Sequence, residues 1–187
     1  MKVLCEVSVR HVHLTKQDFQ DLFGKGAKLE VVRSLSQRGQ FLSDKKVDLV
    51  GPKRVIEGVS ILGPLRERNQ IELARTDCFA LGLKNVPVCI SGQLDESVGI
   101  TLRVGGKEKT INKGVIVAKR HVHLDPKTAD LQGLKNGQVV GIKVDGERGG
   151  LLGEAVVRVH DEYTPAVHID TDEGNALGVG NEVTIIK

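Results

Sequence analysis

The sequence contains two copies of the tripeptide His-Val-His, a pattern that can place two imidazole rings side by side. The first copy carries His11 and His13, and the second carries His121 and His123. Side chains at positions i and i+2 of a β-strand point to the same face, so each pair should leave its sheet together. Neutral imidazole is a common ligand for zinc and similar metals. Because four of the six histidines lie in these tripeptides, the pattern predicts metal binding.

The two tripeptides belong to an internal repeat. Arg10-His-Val-His-Leu14 returns unchanged as Arg120-His-Val-His-Leu124. Each copy is followed by Thr15 or Asp125, residues that commonly cap a helix, and then by a short polar segment that runs into a glycine. The repeat predicts two related halves.

Two further residues are candidate metal ligands. His168 lies in a strand-like segment, and Glu72 lies between Ile71 and Leu73, so in a strand its carboxylate would face away from both. Taken alone, His168 would be a buried structural histidine and Glu72 a solvent-facing strand residue. The four repeated histidines allow either one tetrahedral structural site or two sites completed by other ligands. His160 lies in no motif and is predicted to be structural.

The cysteines predict neither a disulfide framework nor a zinc site. Cys5, Cys78 and Cys89 are odd in number and have no close pairing. Structural zinc sites are usually closed by cysteines, and these three lack suitable spacing. We expect each of them to be a buried, small apolar side chain.

Composition excludes several functional classes. The 187 residues include 27 basic and 24 acidic ones, a balance that argues against a general binder of polyanions. Aromatic residues make up only 3%, which argues against a surface that stacks nucleic-acid bases. No apolar run is long enough to span a bilayer, and no signal-like segment follows Met1. We expect a soluble protein of a reducing compartment, with no nucleic-acid or membrane partner.

The pattern of glycines and β-branched residues predicts a mainly β fold. Two small β-barrels related by internal duplication, with short capping helices, would accommodate it. The predicted strands include residues 47–50, 59–62, 98–104, 138–144, 151–159 and 182–186. The segment 25–44, rich in glycine, serine and glutamine, is predicted to be an insertion.

Eight blocks, spread over essentially the whole chain, carry a resemblance to a known family. They are Val7-Ser-Val-Arg-His-Val-His-Leu-Thr15, Leu35-Ser-Gln-Arg-Gly-Gln-Phe41, Leu62-Gly-Pro-Leu-Arg66, Gln70-Ile-Glu72, Arg75-Thr-Asp77, Ser91-Gly92, Arg120-His-Val-His123 and His168-Ile-Asp-Thr-Asp-Glu173. In these blocks the sequence resembles the phosphate propanoyltransferases, which are phosphotransacylases associated with propanediol-using and related bacterial microcompartments.

The resemblance implies an architecture and a metal centre. It implies two β-barrels with a dinuclear metal site between them, and an N-terminal strand that pairs into the barrel built mainly from the C-terminal half. The corresponding domains are residues 1–9 plus 118–187, and residues 10–117. The implied ligands are His11, His13 and Glu72 for one divalent ion, and His121, His123 and His168 for the other. Zinc is the expected metal.

The resemblance also implies a reaction: exchange of CoA for phosphate on a short acyl group, propanoyl or acetyl. Arg66 would hold the phosphate, with Ser91 and Gln40 lining the same site. Arg66 and Glu72 are separated by an even offset, which would aim both at one face of an unbroken strand. A metal with an open position could polarise the thioester carbonyl or stabilise the departing thiolate.

Other mechanisms and functions stay open at this point. No Ser-His-Asp or Cys-His arrangement is evident, which favours direct transfer over an acyl-enzyme. A metal-dependent hydrolase is an alternative, because His-x-His at a strand end is also common in such enzymes. It would release CoA without phosphate. A non-catalytic binding module would use its metals only for stability and turn over no acyl-CoA.

The chain departs from the family pattern at a few positions. Arg38 stands where proline is usual, Ser97-Val98 where Thr-Pro is usual, and Gly174 where alanine is usual; none is an implied ligand. Only ten residues precede His11, and they predict a strand, which leaves no room for the N-terminal targeting segment of microcompartment members. We therefore expect a bacterial cytoplasmic form, or a chain from which that segment was removed. Microcompartment association and homo-oligomer formation stay open.

Overall fold

A computed structural model describes all 187 residues, which form fourteen strands and four short helices. The strands are β1 (Lys2–Ser8), β2 (His11–His13), β3 (Val31–Ser34), β4 (Phe41–Val50), β5 (Val55–Gly63), β6 (Gln70–Glu72), β7 (Val88–Cys89), β8 (Val98–Val104), β9 (Lys107–Ala118), β10 (His121–Leu124), β11 (Val139–Val144), β12 (Gly150–Val159), β13 (Ala166–Asp170) and β14 (Glu182–Ile186). The helices are α1 (Lys16–Phe23), α2 (Arg75–Leu81), α3 (Pro126–Gln132) and α4 (Thr171–Leu177).

The chain divides into two compact units, each built on a closed barrel of six strands. The first barrel lies within Arg10–Ala118, and the second is formed by Met1–Val9 together with Lys119–Lys187. In the first barrel the strands follow the closed order β4-β5-β2-β6-β9-β8, and β3 and β7 add to its edges. The order in the second barrel is β1-β13-β10-β12-β11-β14.

The two barrels have the same pattern of strand pairing. In the first, β2 pairs in parallel with β5 and antiparallel with β6. In the second, β10 pairs in parallel with β12 and antiparallel with β13. The strand that closes each ring is also equivalent: β9 is parallel to β6, and β1 is parallel to β13. The predicted mainly β fold of two duplicated barrels with short helices is confirmed.

The equivalent closing strands are exchanged between the repeats. Along the chain β1 directly precedes β2 of the first barrel, yet it pairs with β13 and β14 in the second. In the same way, β9 directly precedes β10 of the second barrel, yet it pairs with β6 and β8 in the first. Each barrel is therefore closed by a strand that lies next to the other repeat's His-Val-His tripeptide in sequence.

The alternation of each His-Val-His tripeptide fixes which side chain enters the core. Val12 and Val122 are completely buried in the two barrel cores, where they pack with other aliphatic side chains. Because neighbouring residues of a strand point to opposite faces, the flanking histidines leave each barrel on its outer face. Burial of the two valines removes apolar surface from water, at roughly 25 cal/mol per Å², and thereby holds the tripeptides in register.

Two of the four helices follow the sequence prediction. Thr15 caps α1 and Asp125 caps α3, each accepting a backbone N–H, and the helices end at Gly24 and Gly133. The helices α2 and α4 were not predicted. The segment 25–44 contains the exposed strand β3 and the beginning of β4. None of the four helices is both long and apolar enough to cross a membrane.

Candidate functional site

Three predicted ligands of the first barrel come together where β2 pairs with β6. In the antiparallel register, His11 lies opposite Glu72 and His13 lies opposite Gln70. The ring centroids of His11 and His13 are 5.0 Å apart, and His11 Nε2 lies 3.6 Å from Glu72 Oε2. One ligand atom from each of His11, His13 and Glu72 lies within 4.8 Å of the others. We call this group the first triad.

The second barrel repeats the arrangement where β10 pairs with β13. His121 lies opposite His168, and the centroids of their stacked rings are 5.0 Å apart. The ring centroid of His123 lies 4.7 Å from the centroids of both His121 and His168. One ring nitrogen from each of these three histidines lies within 4.8 Å of the others. We call this group the second triad.

Several nitrogens of the triads fit a metal ion. His13 Nδ1 and both ring nitrogens of His123 are buried without a hydrogen-bond partner, an arrangement that ordinarily costs about 1–3 kcal/mol for each group. Burial, together with the charge of neighbouring His11 and Arg66, lowers the pKa of His13 to about 3. Burial, with His121 and His168 beside it, lowers the pKa of His123 to about 2. Both rings are therefore neutral at physiological pH, the form that coordinates metals.

The donor sets match divalent transition-metal chemistry. Two imidazoles with a carboxylate, and three imidazoles, are the sets of three protein ligands that leave a fourth position open on catalytic zinc. The predicted metal ligands are thus brought together in two groups, each of which could hold one ion. Imidazole donors suit zinc and similar transition metals better than the harder calcium and magnesium.

Behind the first triad, Gln70 and Ser91 hold one oxygen of Glu72. Gln70 Nε2 donates to Glu72 Oε1 at 2.5 Å and to Ser91 Oγ at 2.7 Å. Ser91 Oγ in turn donates to Glu72 Oε1 at 3.1 Å, and the N–H of Gly92 donates to Gln70 Oε1 at 2.9 Å. Because Oε1 accepts both bonds, Oε2 is the carboxylate oxygen directed at His11.

Behind the second triad, other groups orient the histidines. His121 Nδ1 lies 2.9 Å from the carbonyl oxygen of Lys119, and His168 Nδ1 lies 3.6 Å from Glu6 Oε2. The hydrogen bond with Lys119 leaves Nε2 of His121 as the nitrogen suited to a metal, because a hydrogen bond at one ring nitrogen fixes the tautomer. The ring of Tyr163 stacks on His123 with centroids 3.9 Å apart.

Arg66 lies beside the first triad, but not for the predicted reason. The strand β6 spans only Gln70–Glu72, so Arg66 lies outside it and the predicted even-offset alignment with Glu72 is wrong. Instead, the backbone N–H of Arg66 donates to Leu14 O at 2.8 Å, next to the strand that carries His13. The positive charge of Arg66 contributes, after burial and the charge of His11, to the lowered pKa of His13.

Gln40 is the predicted site residue that the structure does not connect to a triad. It lies half-buried in the turn before β4, where its N–H donates to Gln37 O and its carbonyl accepts from Leu35. These hydrogen bonds run within its own turn. Ser91 and Arg66 therefore have contacts at the first triad, whereas the contacts of Gln40 lie within its own turn.

Three groups around the triads were not predicted from the sequence. Gln70 could have been found, because it stands two residues before Glu72 and strand alternation aims both at one face. Glu6 could not have been found from local pattern, because β1 approaches His168 only through the strand exchange. Tyr163 lies outside the regular elements, and its place beside His123 had no sequence signal.

The cysteines largely follow the prediction. Cys5 and Cys78 are buried, whereas Cys89 is only half-buried and its thiol donates to Gln93 O at 3.1 Å. Burial, with Glu6 and Glu173 nearby, raises the pKa of Cys5 to about 11. Burial and the charge of Glu72 also raise the pKa of Cys89. The thiols of Cys5 and Cys89 are therefore protonated at neutral pH and poorly suited to nucleophilic catalysis.

Several similar proteins carry the name of one family. The sequence model of the family described as phosphate propanoyltransferase matches residues 4–180. The chain is 44% identical over 176 residues to the phosphate propanoyltransferase of Alkaliphilus metalliredigens, covering 94% of this chain and 82% of that protein. It is 42% identical to that of Sebaldella termitidis (97% and 85% covered) and 40% identical to that of Thermotoga maritima (99% and 89% covered). The chain therefore belongs to the phosphate propanoyltransferase family, a family of acyltransferases.

Proposed function

We propose that this chain interconverts a short-chain acyl-CoA and phosphate with an acyl phosphate and CoA, the acyl group being propanoyl or acetyl. The names of the relatives support the reaction class. The observation that carries the proposal is the pair of triads, in which buried ring nitrogens of His13 and His123 have no hydrogen-bond partner, with Arg66 beside the first.

We infer that each triad holds one divalent ion, zinc by its donor set. Such ions, when bound, supply Lewis-acid polarisation of the thioester carbonyl and stabilisation of the departing thiolate. That the two ions form one dinuclear centre is part of the proposal and is supported by the family resemblance.

Arg66 is the proposed phosphate-binding residue. Its guanidinium is always charged and presents a planar fork of N–H donors that matches phosphate oxygens. Its position beside His13, set by the backbone bond to Leu14, would hold a phosphate next to the first triad. There a phosphate oxygen forms a bond to the carbonyl carbon, the carbon–sulfur bond breaks, and the sulfur leaves as the thiolate of CoA.

Ser91 and Gln40 complete the proposed substrate site. The hydroxyl of Ser91 already donates to Glu72, and this contact suits a residue that orients a ligand and lines the site. No histidine serves Ser91 as a base in that network, which supports direct attack of phosphate over an acyl-enzyme. Trapping of a covalent acyl adduct after an acid quench would overturn direct transfer. Gln40 keeps its proposed role on the family resemblance.

One assay on a single preparation tests the proposal. Metal content and CoA release from acetyl-CoA and propanoyl-CoA would be measured with and without phosphate. We expect about two zinc-like ions per chain and release that depends on phosphate. Phosphate-independent release would indicate the hydrolase, which nothing in the comparisons supports. Bound metal without turnover would leave the binding module, and an active enzyme without metal would remove the triads from the mechanism.

The proposal extends to location and assembly. We propose a bacterial cytoplasmic location; association with a microcompartment and formation of a homo-oligomer are proposed on the family resemblance. Co-fractionation with microcompartment shells and light scattering of the purified protein would test them separately.

A further inference from the structure

Each His-Val-His tripeptide is preceded by an arginine that reaches a helix of its own barrel. Arg10 Nε donates to Asp77 Oδ1 at 2.9 Å, and Arg120 Nε donates to Glu173 Oε1 at 2.6 Å. The two acids occupy the same position, the third residue of α2 and of α4. The arginine repeats in sequence, but its partner differs in type and could not be read from the repeat.

Asp77 and Glu173 also cap the N-termini of α2 and α4, the helices that follow the third ligand of each triad, Glu72 or His168. Asp77 Oδ2 accepts the N–H of Ala74, and Glu173 Oε2 accepts the N–H of Asp170. Each of these capped residues stands two positions after a third ligand, Glu72 or His168. One carboxylate oxygen thus binds the arginine that precedes His11 or His121. The other oxygen fixes the backbone two residues after Glu72 or His168.

The connection matters because the ligand strands are short. The strand β2 has three residues and β10 has four, so few backbone hydrogen bonds set their position against β6 and β13. A lateral shift of a strand displaces its side chains relative to the third ligand, and metal sites tolerate such displacement poorly. In the second barrel, Arg120 Nη1 also donates to Gly153 O, which adds a further anchor.

We propose that Arg10 and Arg120 are positioning residues, each fixing its His-Val-His pair against the third ligand of its own triad through Asp77 or Glu173. This inference rests on the proposed function, since it supposes that the triads hold metal ions. It concerns the geometry of binding and not the chemistry of transfer, so metal affinity reports on it directly.

The test measures zinc affinity at one triad at a time, by competition with a chromogenic chelator. His123→Ala leaves the first triad to be titrated alone, and His13→Ala leaves the second. In the first background we expect Arg10→Met to weaken zinc binding about tenfold, the lower end of what groups supporting a metal ligand contribute. In the second background Arg10→Met should have no effect. Arg120→Met should show the reverse.

Matched controls separate positioning from general stability. Arg103→Met breaks the ion pair with Asp48 in the first barrel, and Lys143→Met breaks the pair with Asp145 in the second; neither should change zinc affinity. If Arg10→Met does not fold, Asp77→Asn weakens the same pair while an amide oxygen can still accept the N–H of Ala74. Unchanged affinity, or an equal loss in both backgrounds, would overturn the inference. Absence of zinc from the wild-type chain would instead overturn the proposed function.

Discussion

The two triads share a strand register but place their negative charge differently. In the first, the anion is a direct member: Glu72 lies opposite His11, and Gln70 and Ser91 hold its second oxygen. In the second, the position opposite His121 is occupied by His168, and an oxygen of Glu6 lies 3.6 Å from Nδ1 of that ring. The two repeats therefore share the strand pairing that presents three ligands. The carboxylate is itself a ligand candidate in the first triad, whereas in the second it belongs to a residue beside a ligand candidate.

This difference predicts different chemistry at equivalent positions. A carboxylate ligand partly neutralises a divalent ion, whereas three neutral imidazoles leave its full charge to act on a substrate. The first triad also has a guanidinium beside it, and the second has the stacked ring of Tyr163. We therefore expect the first triad to serve the anionic nucleophile, and the second to serve the thioester as the stronger Lewis acid.

Loss of one histidine from either triad should have the largest effect. His13→Ala and His123→Ala should each reduce the metal content by one ion per chain and lower turnover at least about 100-fold, because Lewis-acid stabilisation is worth several kcal/mol. Metal analysis and CoA release would be measured on the same samples. His160→Ala, at an exposed histidine outside both triads, should retain both ions and full activity. Full turnover in either variant would show that the altered triad is not needed for the reaction.

Removal of Arg66 should have the second largest effect, and it should change the use of phosphate without changing metal content. Arg66→Ala should keep both ions but lose about 100-fold in activity at low phosphate, because a positioned charge contributes a few kcal/mol to the transition state. Its matched control is Arg68→Ala, at an exposed arginine paired with Asp95, which should remain active. Initial rates over a series of phosphate concentrations would decide; unchanged turnover at low phosphate would remove Arg66 from the reaction.

The groups behind the ligands should have smaller effects, each confined to one triad. Gln70→Ala should lower the affinity of the first triad for its ion about tenfold, because Glu72 loses a buried hydrogen-bond donor. Glu6→Gln should lower the affinity of the second triad by less, because Glu6 is partly exposed. Chelator competition in the single-triad backgrounds would measure both changes. Gln17→Ala, at an exposed glutamine that donates to Asp21, is the control and should change neither affinity. An effect of Gln70→Ala on the second triad would contradict the separation.

The smallest effect concerns stability, where the equivalent helices α1 and α3 differ. Burial alone would raise the pKa of Asp18, but hydrogen bonds from Asn69, Lys109 and Thr15 together lower it. A carboxylate whose pKa is lower in the folded state stabilises the fold above its unfolded pKa, near 3.8, and loses that contribution as the pH falls through the folded value. Asn69→Ala should therefore destabilise the chain by about 1 kcal/mol or less at pH 7.

Urea denaturation at two pH values would check this prediction. The difference between wild type and Asn69→Ala should shrink when the pH is taken below the lowered pKa of Asp18, because the carboxylate is then protonated. In α3 the capping residue Asp125 bonds only within its own first turn, to Thr128, so no distant residue should influence it in this way. If the difference in the free energy of unfolding grew at acidic pH, the predicted stabilisation by the ionised Asp18 carboxylate would be contradicted.

Much of the fold was predictable because its signals are local. Strands 98–104 and 182–186 were predicted with the bounds that the structure has, and both caps, Thr15 and Asp125, were identified. The helices α2 and α4 were missed because each is only seven residues long, too short to show a clear helical period, and neither directly follows a copy of the repeat as the equally short α3 does. The alignment of Arg66 with Glu72 failed because it assumed a longer strand than β6.

The sequence alone determined that each tripeptide buries its valine and presents two histidines on one face, since strand alternation has a period of two and depends on no distant residue. Only the tertiary structure decided what meets those histidines. Glu72 and His168 arrive on antiparallel strands from elsewhere in their barrels, and Glu6 arrives on a strand exchanged between the repeats. Such pairings depend on which distant strands share a barrel, and no local pattern of residues specifies that.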